Sequence, residues 1–195
     1  MIPFNYLGFI FKHFGKRIYP ECARSYLEGC IEKLNKDSAV LDLGGGTGVL
    51  TEIAYGFNPS PQYIVSDPSI GMLKHSPNFS QKVLSKAENL PFKDESFDCV
   101  MIGEALHHFK NIDKSLNEIH RVLKHNGTLF IFDFDPKVFK GKMIYLFEKM
   151  LGEPVNFFQP SELSEILQEK GFVINFHKKE YKYVLLGTKI IENNN

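Results

Sequence analysis

A glycine-rich loop is the feature of this sequence with the clearest chemical use. Residues 42–48 read DLGGGTG and join a short apolar run to a segment with helical spacing. Glycine accepts positive φ and lets the backbone approach a ligand closely, and the helix that follows presents N–H groups without intrahelical partners. The loop therefore predicts a ligand site, with a tight structural turn as the alternative.

Spacing separates this loop from two other nucleotide-binding loops. A dinucleotide site requires GxGxxG, but the sixth position is Val49 when counted from Gly44 and Thr51 when counted from Gly46. A phosphate-binding Walker loop requires Gly-Lys-Ser/Thr, which is also absent. The pattern present is DxGxGxG, and its acidic Asp42 favours a ligand that carries positive charge.

A second group of reactive side chains follows the apolar run 98–103. It contains Glu104, His107 and His108. A histidine near neutral pH can take a proton from a hydroxyl or a ring carbon, so His107 and His108 are candidate general bases, and Glu104 is a further candidate catalytic residue. The alternatives are that His107 packs against the following helix and that His108 is solvated. No His, Cys and Asp residues have metal-ligand spacing, so no metal is expected.

Apolar periodicity predicts the elements that must position these residues. Strands are predicted at 39–43, 62–67, 81–84, 98–103 and 128–134, and helices at 49–57, 68–75 and 112–124. This alternation predicts a parallel sheet with right-handed crossovers and helices on both faces. Ligands bind at the carboxyl ends of strands in such sheets, which brings the glycine loop and Glu104 to one edge.

The C-terminal part of the chain has a different pattern. A helix is predicted at 161–170, with Ser161 as N-cap and Gly171 just past its end, and strands at 172–179 and 183–190 form a hairpin on the sheet edge. The predicted fold class is therefore α/β: a doubly wound, Rossmann-like sheet of seven strands, mostly parallel with an antiparallel C-terminal hairpin. We expect a single domain over residues 1–195, with 1–36 as a helical N-terminal arm.

Composition restricts the class of partner. The 195 residues contain 23 Lys and Arg against 23 Asp and Glu, so there is no strong signal for nucleic acid. The three cysteines form no CxxC pair, which favours a reducing cytoplasm. No apolar stretch approaches the length of a membrane span.

Several ordered motifs resemble one family. Residues 40–48 (VLDLGGGTG) resemble the first motif of the class I S-adenosylmethionine (SAM)-dependent methyltransferases. Later segments resemble that family in the same order: 87–92 (AENLPF), 96–98 (SFD), 104–109 (EALHHF), 118–124 (EIHRVLK) and 127–129 (GTL). The resemblance covers about residues 38–135 and is closest to the branch that includes quinone-biosynthesis enzymes. It implies SAM as cofactor and methyl transfer to a small-molecule acceptor.

The resemblance also implies roles for particular residues. Asp67 stands 19 residues after Gly48, where the family places an acid on the ribose hydroxyls. The cofactor-binding residues are then Asp42, Gly44, Gly46, Gly48, Asp67, Pro68, Met72, Ala87, Glu88 and Glu104. Relatives commonly carry Asp before the Ala-Glu pair as an acceptor for the adenine amino group, whereas this chain has Ser85-Lys86. Lysine accepts no hydrogen bond, so adenine is left to backbone groups near Ala87 or to Glu88.

Aromatic residues indicate the nature of the acceptor. In the family, the N-terminal arm and the segment after the fifth strand commonly cover the substrate; here they carry Phe4, Tyr6, Phe9, Phe11, Phe14, Tyr19, Phe139, Tyr145, Phe147, Phe157 and Phe158. An aromatic cover favours an apolar or aromatic acceptor. These rings could instead close the core or join two copies in a homodimer. An RNA or protein methyltransferase, a non-catalytic SAM-binding protein and a nicotinamide oxidoreductase remain alternatives.

Overall fold

Seven strands form one sheet in the computed structural model, which describes residues 18–150 and 156–190. The strands are β1 (Ala39–Leu43), β2 (Gln62–Asp67), β3 (Gln81–Leu84), β4 (Phe97–Gly103), β5 (Leu123–Phe134), β6 (Phe172–Lys179) and β7 (Lys182–Lys189). Their order is β3-β2-β1-β4-β5-β7-β6. The pairs among β1 to β5 are parallel, and β7 runs antiparallel to both β5 and β6. The predicted fold class is confirmed.

Six α-helices accompany the sheet within the described ranges. They are α1 (Glu21–Ile31), α2 (Val49–Phe57), α3 (Ile70–Leu73), α4 (Ile112–Val122), α5 (Phe139–Met150) and α6 (Pro160–Glu169), and a 3₁₀ turn spans Leu106–His108. None of these helices has the length and apolar content needed to cross a bilayer.

Two apolar cores lie on opposite faces of the sheet because side chains alternate along each strand. Along β1, Val40 packs with α1 and α2, whereas Leu41 packs with α4 and α6. The same alternation sends Met101 of β4 to the first core and Ile102 to the second. The sheet is therefore covered by helices on both faces, and its loops at the carboxyl ends of the strands stay open to a ligand.

Several predicted boundaries are corrected. The second helix is shorter than 68–75, because Ser69 is the N-cap and accepts a hydrogen bond from the Met72 N–H. The helix predicted to reach Lys124 ends at Val122, and β5 begins at Leu123, since Leu123 pairs with Phe97 of β4. The last helix begins at Pro160 with Gln159 as N-cap, so Ser161 is not the cap.

The N-terminal arm can be compared with the structure only in part. The described portion contains α1, whose residues Ala23, Leu27 and Ile31 are buried. Residues 1–17, which include Phe4, Tyr6, Phe9, Phe11 and Phe14, lie outside the described residues. That residues 1–36 cover the active site stays a prediction, as does the single domain.

Candidate active site

A cavity of about 600 Å³ opens at the carboxyl ends of β1, β2, β4 and β5. Its volume is within the range of small-molecule sites. Nearly all the predicted site residues line it: Asp42, Gly44, Gly46, Asp67, Pro68, Met72, Ala87, Glu88, Glu104, His107 and His108. Gly48 does not. The structure therefore brings together two groups that are far apart in sequence, while the role of each residue stays a prediction.

The glycine loop is shaped by its contacts with β2. The N–H groups of Gly44 and Gly45 donate to the Ser66 carbonyl at 2.8 and 3.2 Å. Gly44 and Gly46 have φ values of 70° and 55°, in the region that favours glycine. A Cβ on Gly45 would lie 2.5 Å from the Asp42 carboxyl carbon. Side chains are excluded here, so the loop forms a cradle of bare backbone.

Gly48 lies outside the cavity wall and has a role in packing. It is the N-cap of α2 with φ of 72°. A Cβ at this position would lie 2.5 Å from Cδ of Pro77. The glycine thus lets the segment after α3 pack against the start of α2, which the sequence pattern did not indicate.

Asp42 presents one satisfied and one unsatisfied oxygen. Its Oδ2 accepts from the backbone N–H and hydroxyl of Thr51 at 3.1 and 2.7 Å. Its Oδ1 is buried and has no hydrogen-bond partner among the described residues. Burial raises the pKa of Asp42 to about 7, against the lowering effect of Thr51. A buried, orphaned carboxylate oxygen in a cavity wall suits a cationic ligand group.

Asp67 joins the end of β2 to the glycine loop. Its Oδ1 accepts from the Ser69 N–H at 2.8 Å, and its Oδ2 accepts from the Gly46 N–H at 3.0 Å. Burial raises the pKa of Asp67, although both of these hydrogen bonds oppose the shift. An ionised carboxylate has about four acceptor positions, so each oxygen can still accept from a ligand hydroxyl.

The Ser85–Glu88 segment forms another wall of the cavity. Ser85 Oγ lies 2.5 Å from Ser66 Oγ, which ties this segment to β2. Glu88 Oε1 accepts from the N–H groups of Lys110 and Asn111 at 2.8 and 3.1 Å, so this oxygen is already used at the entry to α4. Lys86 is exposed.

Glu104 lines the same cavity in an unusual backbone conformation. Its φ is 51°, and its N–H donates to the Phe132 carbonyl at 2.7 Å. Oε1 accepts from Lys182 Nζ at 3.2 Å. Burial raises the pKa of Glu104 to about 7, and Lys182 acts in the opposite direction. Non-glycine residues in such conformations concentrate at functional sites.

His107 is paired with a buried carboxylate. Its Nδ1 lies 2.8 and 3.0 Å from the two oxygens of Asp133, and both side chains are buried. When Nδ1 donates its proton to an Asp133 oxygen, Nε2 is the nitrogen that carries the lone pair in the neutral ring. Phe157 stacks on the imidazole with ring centroids 4.2 Å apart. His108 is half-buried, and its ring centroid lies 4.1 Å from that of His107.

Two residues of this site were missed at the sequence level, and a third, Tyr19, was named only as one of the aromatic residues of the N-terminal arm. Tyr19 lines the cavity and its ring packs 5.2 Å from that of Phe132. Lys182 reaches Glu104 from the first position of β7, and Asp133 orients His107 from near the end of β5. Asp133 stands at the end of an apolar strand at the ligand-binding edge, which was the available signal, whereas Lys182 carried none. No grouping of three potential metal ligands occurs in the described ranges.

The doubly wound sheet carries a glycine cradle with two acids beside it, Asp42 and Asp67. This combination is typical of sites for nucleotide-type cofactors. Comparison with known proteins then specifies the family: residues 41–131 match the methyltransferase domain family. Residues 41–131 are therefore similar to the class I SAM-dependent methyltransferases, and the chain resembles the quinone-biosynthesis members among them. SAM is the cofactor of that class.

Several curated relatives carry the names of quinone methyltransferases. A ubiquinone/menaquinone biosynthesis C-methyltransferase of Hahella chejuensis is 34% identical over 58% of this chain and 51% of the relative. A demethylmenaquinone methyltransferase of Thermotoga maritima is 29% identical over 70% of this chain and 71% of the relative. The chain spans about half the length of the Hahella protein, so its own activity is a matter for proposal.

Solved structures give the same fold. A SAM-dependent methyltransferase of Thermotoga maritima superposes with a TM-score of 0.74 at 23% identity, covering 95% of this chain and 98% of the other. A SAM-dependent methyltransferase of Aquifex aeolicus gives a TM-score of 0.68 at 16% identity, covering 92% and 98%. At these identities the likeness establishes the fold.

Proposed function

We propose that this chain transfers a methyl group from SAM to a small apolar or aromatic acceptor. One observation carries the proposal: a single cavity joins the glycine cradle and Asp67 to Glu104 and the His107–Asp133 pair. A donor and an acceptor could therefore lie side by side. The names of the quinone-biosynthesis relatives support a small ring compound as acceptor.

The donor end has the chemistry that SAM requires. Asp67 would accept from the ribose hydroxyls, and the bare backbone of Gly44 to Gly46 leaves room for the ligand. The orphaned Oδ1 of Asp42 would face the cationic part of the cofactor. When bound, SAM supplies a methyl group on a sulfonium that is already a strong donor. The protein must mainly align the acceptor and exclude water.

The acceptor end combines apolar walls with a positioned base. Phe109, Phe134 and Ile144 line the cavity and would bind an apolar ring. Asp133 holds the imidazole of His107 with its Nε2 as the basic nitrogen, so His107 would take the proton from an acceptor hydroxyl or ring carbon there. Glu104 would stabilise positive charge near the transferring methyl group when it is ionised, a form that burial opposes and Lys182 favours.

The first test measures SAM binding and turnover with the full chain. Titration calorimetry with SAM, its demethylated product and NAD should give binding of the first two only. Formation of the demethylated product should then depend on an acceptor drawn from quinols, phenols, amines and thiols. NAD binding without SAM binding would refute the proposal, and SAM binding with silence across the panel, RNA included, would favour a non-catalytic SAM-binding protein.

A second test addresses the His107–Asp133 pair. His107→Asn should lower kcat by about 100-fold, as expected for loss of a general base. Asp133→Asn should lower kcat similarly and alter its pH dependence while leaving KM within a few-fold, because Asp133 positions the base without touching the acceptor. The neighbouring Asp135→Asn is the matched control, since Asp135 pairs with Lys178 instead. Equal loss in the control would mean that buried charge in general, and not the base, is responsible.

We propose that the protein works in a reducing cellular compartment such as the cytoplasm. The presence of free thiols at Cys22, Cys30 and Cys99 supports it. Free thiols would persist there without pairing.

A further inference from the structure

Helix α5 exposes a stripe of large apolar side chains. Phe139, Met143, Leu146 and Met150 are 77%, 53%, 48% and 76% exposed. Their spacing of four, three and four residues places them within about 60° of arc at roughly 100° per residue. Single exposed apolar residues are ordinary, but an aligned row of four large ones marks an interaction surface.

The opposite face of the same helix is the one that packs on the protein. Gly141 is buried, and a Cβ there would overlap the Asp135 carbonyl oxygen. Ile144 lies about 140° from the Phe139 direction at 100° per residue and lines the large cavity. The helix therefore already packs on the protein through its other face, so the stripe is not the face that the core requires.

Lysines flank the stripe on both sides. On the helical wheel, Lys140 lies on one side and Lys142 and Lys149 on the other. Residues 137–150 contain four lysines and one glutamate, within a chain whose total charge balances. All four lysines are exposed, and none forms an ion pair with the described residues. A chain whose total charge balances thus concentrates positive charge beside this exposed apolar row.

We propose that the α5 stripe, with its flanking lysines, docks this protein on an anionic phospholipid surface. An apolar row bordered by lysines is the pattern of a helix lying in a membrane interface, where the apolar side chains enter the acyl boundary and the ammonium groups meet lipid headgroups. The side chains protrude from a convex helix, which suits insertion into a fluid phase. Pairing with a second copy is opposed, because it would bring two sets of lysines together.

Docking in this way would place the cavity next to the bilayer. The helix that meets the lipid carries Ile144 in the cavity wall on its other side. An apolar acceptor dissolved in the bilayer would then have a short route to His107 and Glu104. This consequence rests on the proposed function, whereas vesicle binding by α5 does not.

Cosedimentation with vesicles tests the docking directly. The full chain, without cofactor, is mixed with vesicles of phosphatidylcholine alone or with about one third phosphatidylglycerol. We expect binding to the anionic vesicles at least tenfold tighter than to the neutral ones, and weakening as salt is raised from about 0.15 M to about 1 M. Absence of binding to anionic vesicles would overturn the proposal.

Paired variants separate the stripe from surface hydrophobicity in general. The double variant Met143→Ser/Leu146→Ser should reduce anionic vesicle binding at least tenfold, and Lys140→Gln/Lys142→Gln should reduce it and flatten its salt dependence. Ile70→Ser/Val173→Ser, which removes two equally exposed apolar side chains elsewhere, is the control and should bind as the unaltered protein does. Equal loss in the control would overturn the proposal.

Two further readouts complete the test. The circular dichroism spectrum and the thermal unfolding temperature should be unchanged in all three double variants, since the altered side chains are exposed. Sedimentation of the protein alone reports self-association: a dimer that disappears in Met143→Ser/Leu146→Ser would assign the stripe to a second copy and overturn lipid docking. Failure of SAM binding or turnover would refute the proposed function and leave the vesicle result standing.

Discussion

Asp67→Asn should weaken SAM binding by about 30- to 150-fold while leaving the fold intact. The carboxylate at the end of β2 uses one acceptor position on each oxygen for a backbone N–H. The remaining positions are available to two ribose hydroxyls, and a hydrogen bond to a charged acceptor contributes about 1.5–3 kcal/mol. An amide keeps one neutral acceptor, so we expect a net loss of about 2–3 kcal/mol in binding.

The same substitution has a smaller structural cost. The amide of the variant can accept from only one of the Ser69 and Gly46 N–H groups, so the free energy of unfolding should fall by about 1–2 kcal/mol. Thermal unfolding measures this cost separately from binding. Asp37→Asn, which removes an exposed carboxylate from the turn before β1, controls for the change in net charge.

Calorimetry with SAM and with its demethylated product makes the interpretation specific. Both ligands carry the same ribose, so Asp67→Asn should weaken both by the same factor. The reasoning fails if the variant binds SAM as tightly as the unaltered protein, because the ribose is then held elsewhere. It also fails if only SAM is affected, since that would make Asp67 a partner of the sulfonium charge.

Three further predictions follow from groups that line or shape the cavity. Burial raises the pKa of Glu104 from 4.5 to about 7, so the native state keeps a proton that the unfolded chain releases, and the free energy of unfolding should fall as pH rises from about 4.5 to about 7. Urea titrations should show that Glu104→Gln flattens this fall by an amount on the order of 2 kcal/mol; an unchanged profile would contradict the shift. Asp42 has a pKa of about 7 before binding, so a cationic ligand should favour its ionised form and cause the protein to release protons. Calorimetry in buffers of different ionisation enthalpy measures this release. No proton release at pH 7 would argue against a cation beside Asp42. Gly45→Ala should lower both SAM affinity and thermal stability because its Cβ meets the Asp42 carboxylate. The control Gly56→Ala in α2 has open space around its Cβ and should be neutral or stabilising by up to about 1 kcal/mol. Equal changes in stability and affinity in the two variants would contradict the close approach of Gly45 to Asp42.

The central strands were predictable because apolar runs and turn residues agree with the pairing. The predicted bounds 39–43 and 62–67 coincide with β1 and β2. Such strands are buried on both faces and are therefore continuous apolar stretches. Where such a stretch ends in glycine or Asp-Pro, the pattern indicates the end of the strand. The glycine loop and Asp67 follow these strands directly, which is why the donor end was largely visible in the sequence.

Long-range pairing decided strand boundaries that were predicted wrongly. Residues 123–127 have helical spacing at first and then turn residues, but Leu123 pairs with Phe97 and extends β5 backwards. Helix propensity is a weak preference that tertiary pairing overrides. The hairpin prediction began its second strand at Tyr183, and so left out Lys182, the residue that reaches Glu104.

Helix α5 shows a different limit of sequence patterns. The spacing of Phe139, Met143, Leu146 and Met150 is that of a core-facing stripe. In the structure these residues are exposed, while Gly141 and Ile144 mark the packed face. Periodicity identifies which residues share a face, but the direction of that face depends on where the helix is attached to the rest of the fold.

The acceptor end depends on three chain segments that no local pattern connects. Lys182 Nζ donates to the Ile18 carbonyl at 2.8 Å and to Glu104 at 3.2 Å, so one side chain of the antiparallel hairpin ties the start of the described chain to the end of β4. Gly103 is required beside Tyr19, because a Cβ there would overlap the phenol oxygen. A glutamate at φ of 51° persists only where its surroundings fix it, and here Lys182 and the Phe132 carbonyl do so. Under the proposed function, the glycine cradle would therefore position the donor, while the C-terminal hairpin would determine the charge and shape that an acceptor meets.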